Sequence, residues 1–148
     1  MAALSLHIVV ARRNQEMKKS MWYLLQLTWG IMMNVAGILG AAWALLRRRD
    51  VVKTSVGTFV FCMGGSWGAV TLGMFVFCDQ ACFYDEEVVK HENGHAIQNV
   101  ILGPLFLFVI GIPSIVHAAL HSRVCKDANY YHFYTEQWAS RLGGSSRR

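Results

Sequence analysis

Two long apolar stretches dominate the pattern of hydrophobic and polar positions in the first half of the chain. Residues 21–46 carry no charged side chain, and a helix of that length exceeds the ~30 Å hydrocarbon core of a bilayer. Residues 56–78 are also uncharged and contain several glycines, which allow membrane helices to approach closely. The pattern therefore predicts a two-helix transmembrane hairpin over 21–78, preceded by an interfacial arm over 1–20.

Shorter elements are expected after this hairpin, in a region that covers residues 79–148. They are a helix, a kinked or re-entrant apolar segment and a C-terminal amphipathic helix, over 86–102, 105–120 and 130–142. The dipeptide Gly103-Pro104 should end the first of them, because proline removes a hydrogen-bond donor and clashes with the preceding turn. The predicted fold class is therefore all-α: a polytopic membrane protein with two transmembrane helices and a C-terminal region of shorter helices.

The composition also favours a membrane protein. Hydrophobic residues make up 54% of the chain and charged residues only 16%, where soluble domains have about 25% charged residues. The net charge of +5 comes largely from basic clusters, such as Arg47-Arg48-Arg49, that border the apolar stretches. A nucleic-acid-binding protein would instead spread its basic residues along an exposed face. The expected partner is therefore a lipid bilayer and not a nucleic acid.

The predicted helix over 86–102 contains the motif His91-Glu92-x-x-His95. Positions i and i+4 of a helix project from one face, so the imidazoles of His91 and His95 can meet one metal ion. Glu92 is placed to take a proton from a water molecule on that metal. A catalytic zinc site typically has a third protein ligand, and Glu136 in the C-terminal helix is the only acidic residue after Asp127. Glu136 is thus the candidate for the third ligand.

A wider set of motifs surrounds these residues between positions 90 and 144. It consists of His91-Glu-Asn-Gly-His95-Ala-Ile-Gln98, Leu102-Gly-Pro-Leu105, Gly111-Ile-Pro-Ser114, Phe133-Tyr-Thr-Glu136-Gln-Trp-Ala139 and Leu142-Gly-Gly144. In this combination the chain resembles a group of small, largely uncharacterised bacterial membrane proteins, which in turn resemble zinc metallopeptidases of the gluzincin type.

The resemblance implies a specific site and a specific location. It implies Zn²⁺ as the cofactor, His91, His95 and Glu136 as its ligands and Glu92 as the general base. It also implies a multi-pass protein of the bacterial inner membrane that hydrolyses an unknown peptide or membrane-protein substrate. The chain departs from the group at Ser140, where an acidic residue would be expected to support one of the histidines.

Two further features of the site are expected from the sequence. Tyr131, His132 and Tyr134 are candidate donors to the oxyanion that develops during hydrolysis. Since the histidines and Glu136 must reach one membrane face or one cavity, we expect a hairpin within 105–120 instead of a full crossing.

Other functions are also compatible with the sequence. His117 and His121 form a second i, i+4 pair, like the histidine boxes of membrane di-iron oxidoreductases, but those sites need about eight histidines and only five remain once His7 is set aside. A non-enzymatic membrane interaction protein, with a structural metal or none, is the other alternative. The sequence names no substrate, and a homo-oligomer is compatible with it.

Overall fold

The structure is a computed structural model that describes residues 18–124 and 130–147. Its first two elements are helices joined by a sharp bend. Helix α1 spans Lys18–Leu27 and helix α2 spans Ile31–Leu46, and their axes are bent by 91°. The prediction of one continuous transmembrane helix over 21–46 is therefore wrong. The side-chain amide of Asn34 stabilises the bend by donating to the backbone carbonyl oxygens of Gln26 and Gly30. Most of the predicted arm over 1–20 lies outside the described residues.

The second predicted transmembrane helix is a β-sheet. Strands β1 to β4 span Val51–Lys53, Phe59–Cys62, Ala69–Leu72 and Phe75–Cys78. The sheet order is β1-β2-β4-β3, with β2 and β4 parallel and the outer pairs antiparallel. The all-α fold class is thus wrong, since the chain is mixed α/β. The glycines between the strands have positive φ, a conformation that ends helices and forms turns, as at Gly57, Gly64, Gly65, Gly68 and Gly73.

Helix α2 packs against this sheet through its small residues. Gly37, Ala41 and Ala44 are buried, and a Cβ atom added to Gly37 would lie 2.4 Å from the backbone oxygen of Leu72. The small side chains of α2 therefore allow a close helix–sheet contact. The large apolar side chains of α2, such as Leu39, project outward and are exposed.

The remaining elements are helical. They are α3 (Gln80–Phe83), α4 (Glu86–Leu102), a 3-10 turn (Gly103–Leu105), a π-helical turn (Leu107–Gly111), α5 (Ile112–Val124), a second 3-10 turn (Tyr130–His132) and α6 (Tyr134–Gly143). The predicted bounds of α4 are confirmed. The predicted hairpin within 105–120 is wrong, because Leu107–His121 runs as one helical unit bent by 119° from Glu86–Leu105.

Both sharp bends interrupt apolar helical stretches. Among the described residues no single helix is long and apolar enough to cross a membrane. Only as bent pairs do Lys18–Leu27 with Ile31–Leu46, and Glu86–Leu105 with Leu107–His121, reach the necessary length and apolar character.

Helices α4 and α6 approach so closely that two glycines are required between them. A Cβ atom on Gly94 would lie 1.9 Å from the backbone oxygen of Ala139, and one on Gly143 would lie 1.8 Å from that of Lys90. Any side chain at either position would force the two helices apart. This contact fixes α6 on the face of α4 that carries the histidines.

Replacing Asn34 with leucine is expected to lower the free energy of unfolding by about 3 kcal/mol or more, because several buried polar groups lose their partner. Its side-chain amide donates to the carbonyl oxygens of Gln26 and Gly30, and its side-chain oxygen accepts from the backbone N–H of Met74. Chemical denaturation would measure the change. Thr28→Val is the control, since it removes one exposed hydrogen bond in the same bend and should cost under about 1 kcal/mol. Equal losses in both variants would contradict the prediction.

Candidate metal centre

The histidine pair is placed by helix α4. Asp85 caps its N-terminus by accepting from the backbone N–H groups of Glu87 and Val88, which fixes where the helix begins. His91 and His95 then follow one turn apart on the same side. Both are buried, their ring centroids lie 4.9 Å apart and their planes are nearly perpendicular. The two rings therefore converge on a common point beside the helix.

Helix α6 brings Glu136 to that point. Its Oε2 atom lies 3.1 Å from Nε2 of His91 and 3.5 Å from Nε2 of His95. One ligand atom from each of the three buried residues lies within 4.8 Å of the other two. Two imidazole nitrogens and one carboxylate oxygen at this spacing could hold a metal ion.

The outer nitrogens of both rings are held by neighbouring side chains. Ser140 Oγ lies 2.9 Å from Nδ1 of His91, so a serine supplies the support that the resemblance assigned to an acidic residue. Gln98 donates its amide to the carbonyl oxygen of Thr135, which turns its Oε1 atom toward Nδ1 of His95 at 2.8 Å. Because Oε1 can only accept, Nδ1 of His95 carries a proton and Nε2 is the nitrogen available to a metal.

The Glu136 carboxylate is oriented by two hydroxyl groups. Ser114 and Thr135 both donate to Oε1, which leaves Oε2 facing the histidines. Burial by itself would raise the pKa of the Glu136 carboxyl, but its hydrogen bonds with His91 and His95 lower that pKa well below the usual range. Glu136 is therefore a charged carboxylate held among buried residues, as a metal ligand must be.

The same electrostatics act on His95. Burial lowers the pKa of its imidazole, while the hydrogen bond with Glu136 and the nearby charge of Glu92 raise it by more, so the net shift is upward. Two carboxylates thus favour positive charge at this ring. A divalent cation placed there would be favoured for the same reason.

Glu92 faces the same cavity but is not one of the three clustered groups. Its Oε2 atom accepts a hydrogen bond of 2.6 Å from the hydroxyl of Thr71 on strand β3. The cavity has a volume of about 410 Å³ and is lined by His91, Glu92, His95 and Glu136. Strand β3 therefore both forms one wall of the cavity and orients the carboxylate that stands next to the ligands.

The three proposed oxyanion donors occupy different places. Tyr131 lines the cavity, and its ring lies edge-on to His91 with the centroids 5.2 Å apart. Its hydroxyl accepts from Arg147, whose other donor bonds Asp85 at the start of α4. His132 is exposed, and the hydroxyl of Tyr134 donates to the carbonyl oxygen of Val109. Of the three, Tyr131 is therefore the one that the structure brings to the cavity.

The second histidine pair forms a separate arrangement. The ring centroids of His117 and His121 lie 5.2 Å apart, and His117 stacks on Phe133 at 4.3 Å. Within the part of the chain that the structure describes, His91, His95 and Glu136 are the one group of His, Cys, Asp or Glu side chains spaced to hold a metal ion.

Several polar residues around the site were not identified as site residues from the sequence. They come from four different elements and are Thr71, Gln98, Ser114 and Thr135. One weak signal was present, since Gln98 lies one turn after His95. Thr71 and Ser114 have no such spacing, and only the tertiary fold brings them to the site.

No family model matches the chain, and no curated protein or solved structure matches it either. The function is therefore inferred from the chemistry of the site.

Proposed function

We propose that this protein is a zinc-dependent hydrolase that cleaves peptide bonds. The observation that supports the proposal most is the convergence of both histidine Nε2 atoms on one oxygen of Glu136, with the carboxylate of Glu92 in the same cavity. Two imidazoles and one carboxylate form a three-ligand set, and catalytic zinc sites use such sets because they leave one position open. A structural site would instead be closed by four protein ligands.

The types of donor atom favour zinc or another transition metal over calcium and magnesium. Imidazole nitrogen suits zinc, copper, iron and nickel, whereas calcium and magnesium prefer sites made entirely of oxygen. The buried thiol of Cys78 is not one of the clustered groups. A bound zinc ion would polarise a substrate carbonyl and lower the pKa of a water molecule.

The surrounding residues supply the remaining steps of hydrolysis. Glu92 takes a proton from the attacking water and passes it to the leaving amine, while the Thr71 hydroxyl holds its carboxylate in place. Tyr131, which lines the cavity and whose ring packs edge-on against His91, is the proposed donor to the developing oxyanion. Gln98 and Ser140 contact Nδ1 of the two rings, so Nε2 of each histidine would hold the metal.

Metal content tests the proposal directly. The purified protein, after incubation with zinc and removal of the excess, is expected to retain one zinc ion per chain. His95→Ala should lose it, because two ligands hold zinc far more weakly than three, and Glu136→Ala should lose most of it. Glu92→Gln should retain it, since Glu92 is not a ligand. Elemental analysis of the four proteins measures these outcomes, and a wild type that stays metal-free would rule the proposal out.

A further inference from the structure

The polarity of the two bent helix pairs is the reverse of that in a water-soluble protein. Gln26, Asn34 and Asn99 are fully buried and hydrogen-bonded to one another. The outward positions of the same helices are instead occupied by large apolar side chains, and Leu39 is 69% exposed. Leaving such a side chain in water forgoes about 1.5–3 kcal/mol of burial free energy. Near the bends, these helices therefore bury polar amides and expose large apolar side chains.

The bends of the two pairs are in contact, and exposed apolar side chains lie close to this contact along the chain. The indole of Trp29, at the first bend, lies against Gly103 at the second, because a Cβ atom on Gly103 would fall 2.3 Å from its Nε1. Exposed apolar side chains flank this contact on both sides. We call this set the bend patch, and it consists of Leu27, Trp29, Ile31, Met32, Ile101, Leu105 and Phe108. The patch is too large and too apolar to be explained as isolated surface residues.

Charge along the sequence indicates what covers the bend patch. Residues 20–46 and 93–122, which contain the whole patch, include no Asp, Glu, Lys or Arg. Protein interfaces of ordinary type have a polar rim that forms hydrogen bonds, and the patch offers few groups for one. Basic residues stand at the ends of the first stretch, at Lys18, Lys19 and Arg47-Arg48-Arg49. Such an arrangement suits acyl chains bordered by anionic headgroups.

We propose that the bend patch is a lipid-binding surface that inserts among the acyl chains of a bilayer. The patch adjoins the cavity of the metal centre, since Met33, Phe106 and Leu107, which line the cavity, are sequence neighbours of patch residues. The proposal concerns the surface alone and does not depend on hydrolysis.

Tryptophan quenching tests this proposal with vesicles of phosphatidylcholine and phosphatidylglycerol whose acyl chains carry bromine. Two single-tryptophan proteins are compared, one retaining Trp29 and the other Trp67, with phenylalanine at the other four positions. The two side chains are 50% and 51% exposed, but Trp67 lies outside the patch, where its backbone N–H donates to the Asp79 carboxylate. Trp29 is expected to lose most of its emission and Trp67 little. Equal quenching of both, or of neither, overturns the proposal.

A second pair of variants tests the same surface if the single-tryptophan proteins fail to fold. Leu105→Arg places a charge in the bend patch, and Tyr84→Arg places one at an exposed site outside it. Flotation with the same vesicles should fall for Leu105→Arg and stay unchanged for Tyr84→Arg. If the protein instead forms a stable oligomer and does not float, the patch is a contact between copies and the lipid proposal is wrong. No metal or substrate is needed, so this result and that of the zinc experiment are independent.

Discussion

Replacing Glu92 with glutamine is expected to lower the rate of peptide hydrolysis by about 10²–10⁴-fold while zinc binding stays intact. Glutamine keeps the size of the side chain and can still accept the Thr71 hydrogen bond, but it cannot take a proton from water. Cleavage of a library of quenched fluorescent peptides by the zinc-loaded protein measures the rate. Elemental analysis of the same samples measures the metal.

Glu86→Gln is the matched control for this experiment. It makes the same chemical change on the same helix, but the Glu86 side chain is 81% exposed and pairs with Lys90 away from the ligands. Such an exposed ion pair contributes little, so the rate should stay close to that of the wild type. If Glu92→Gln and Glu86→Gln hydrolyse peptides equally well, Glu92 is not the general base.

The second large effect is expected from Gly94→Ala. The added methyl group would lie 1.9 Å from the backbone oxygen of Ala139, and neither backbone can yield without separating α4 from α6. Overpacking a rigid contact of this kind should lower the free energy of unfolding by about 3 kcal/mol or more. Because Glu136 lies on α6, the same separation should also remove most of the zinc. Denaturation and metal analysis of one preparation measure both losses.

Gly111→Ala provides the comparison for the glycine substitution. Gly111 also lies in a helical segment, but its added Cβ would have Leu107 as nearest neighbour at 3.4 Å, an ordinary contact. Its stability and zinc content should therefore stay near those of the wild type. A Gly94→Ala protein that unfolds like Gly111→Ala would show that the α4–α6 contact can relax.

The element that carries the histidines was predictable because its signals are local. The polar start at Asp85, the motif and the break at Gly103-Pro104 all lie within one stretch, and the structure gives α4 the predicted bounds. The pairing of Glu136 with the histidines could be proposed because Glu136 is the only acidic residue after Asp127. The residue types and spacing of a motif can therefore indicate a metal site even when the predicted fold class is wrong.

The pattern of hydrophobic and polar positions does not identify the sheet. An uncharged apolar run such as 56–78 suits a membrane helix or a set of short buried strands equally well, and periodicity does not separate them. The sequence Phe-Val-Phe-Cys occurs twice, at Phe59–Cys62 and Phe75–Cys78, and these segments are paired strands. Aromatic and β-branched residues between glycines favoured strands, and counting the glycines as helix-packing residues gave them the wrong role.

The bend between α1 and α2 was missed for a different reason. Asn34 is buried, and its main partners are backbone groups of the bend before it and of the β3–β4 turn. Those contacts depend on the tertiary fold and leave no trace in the periodicity. The polar neighbours of the ligands escaped prediction in the same way, since Thr71 and Ser114 lie far from the histidines along the chain.

Helices α4 and α6, which carry the clustered residues, are synthesised at different times. Since synthesis proceeds from the N-terminus, α4 emerges with both histidines and Glu92 well before α6 delivers Glu136. A nascent chain that has reached only α5 therefore holds both imidazoles but lacks the third residue of the cluster that could hold a metal ion. The cluster is complete only after α6 has been made and has docked against Gly94.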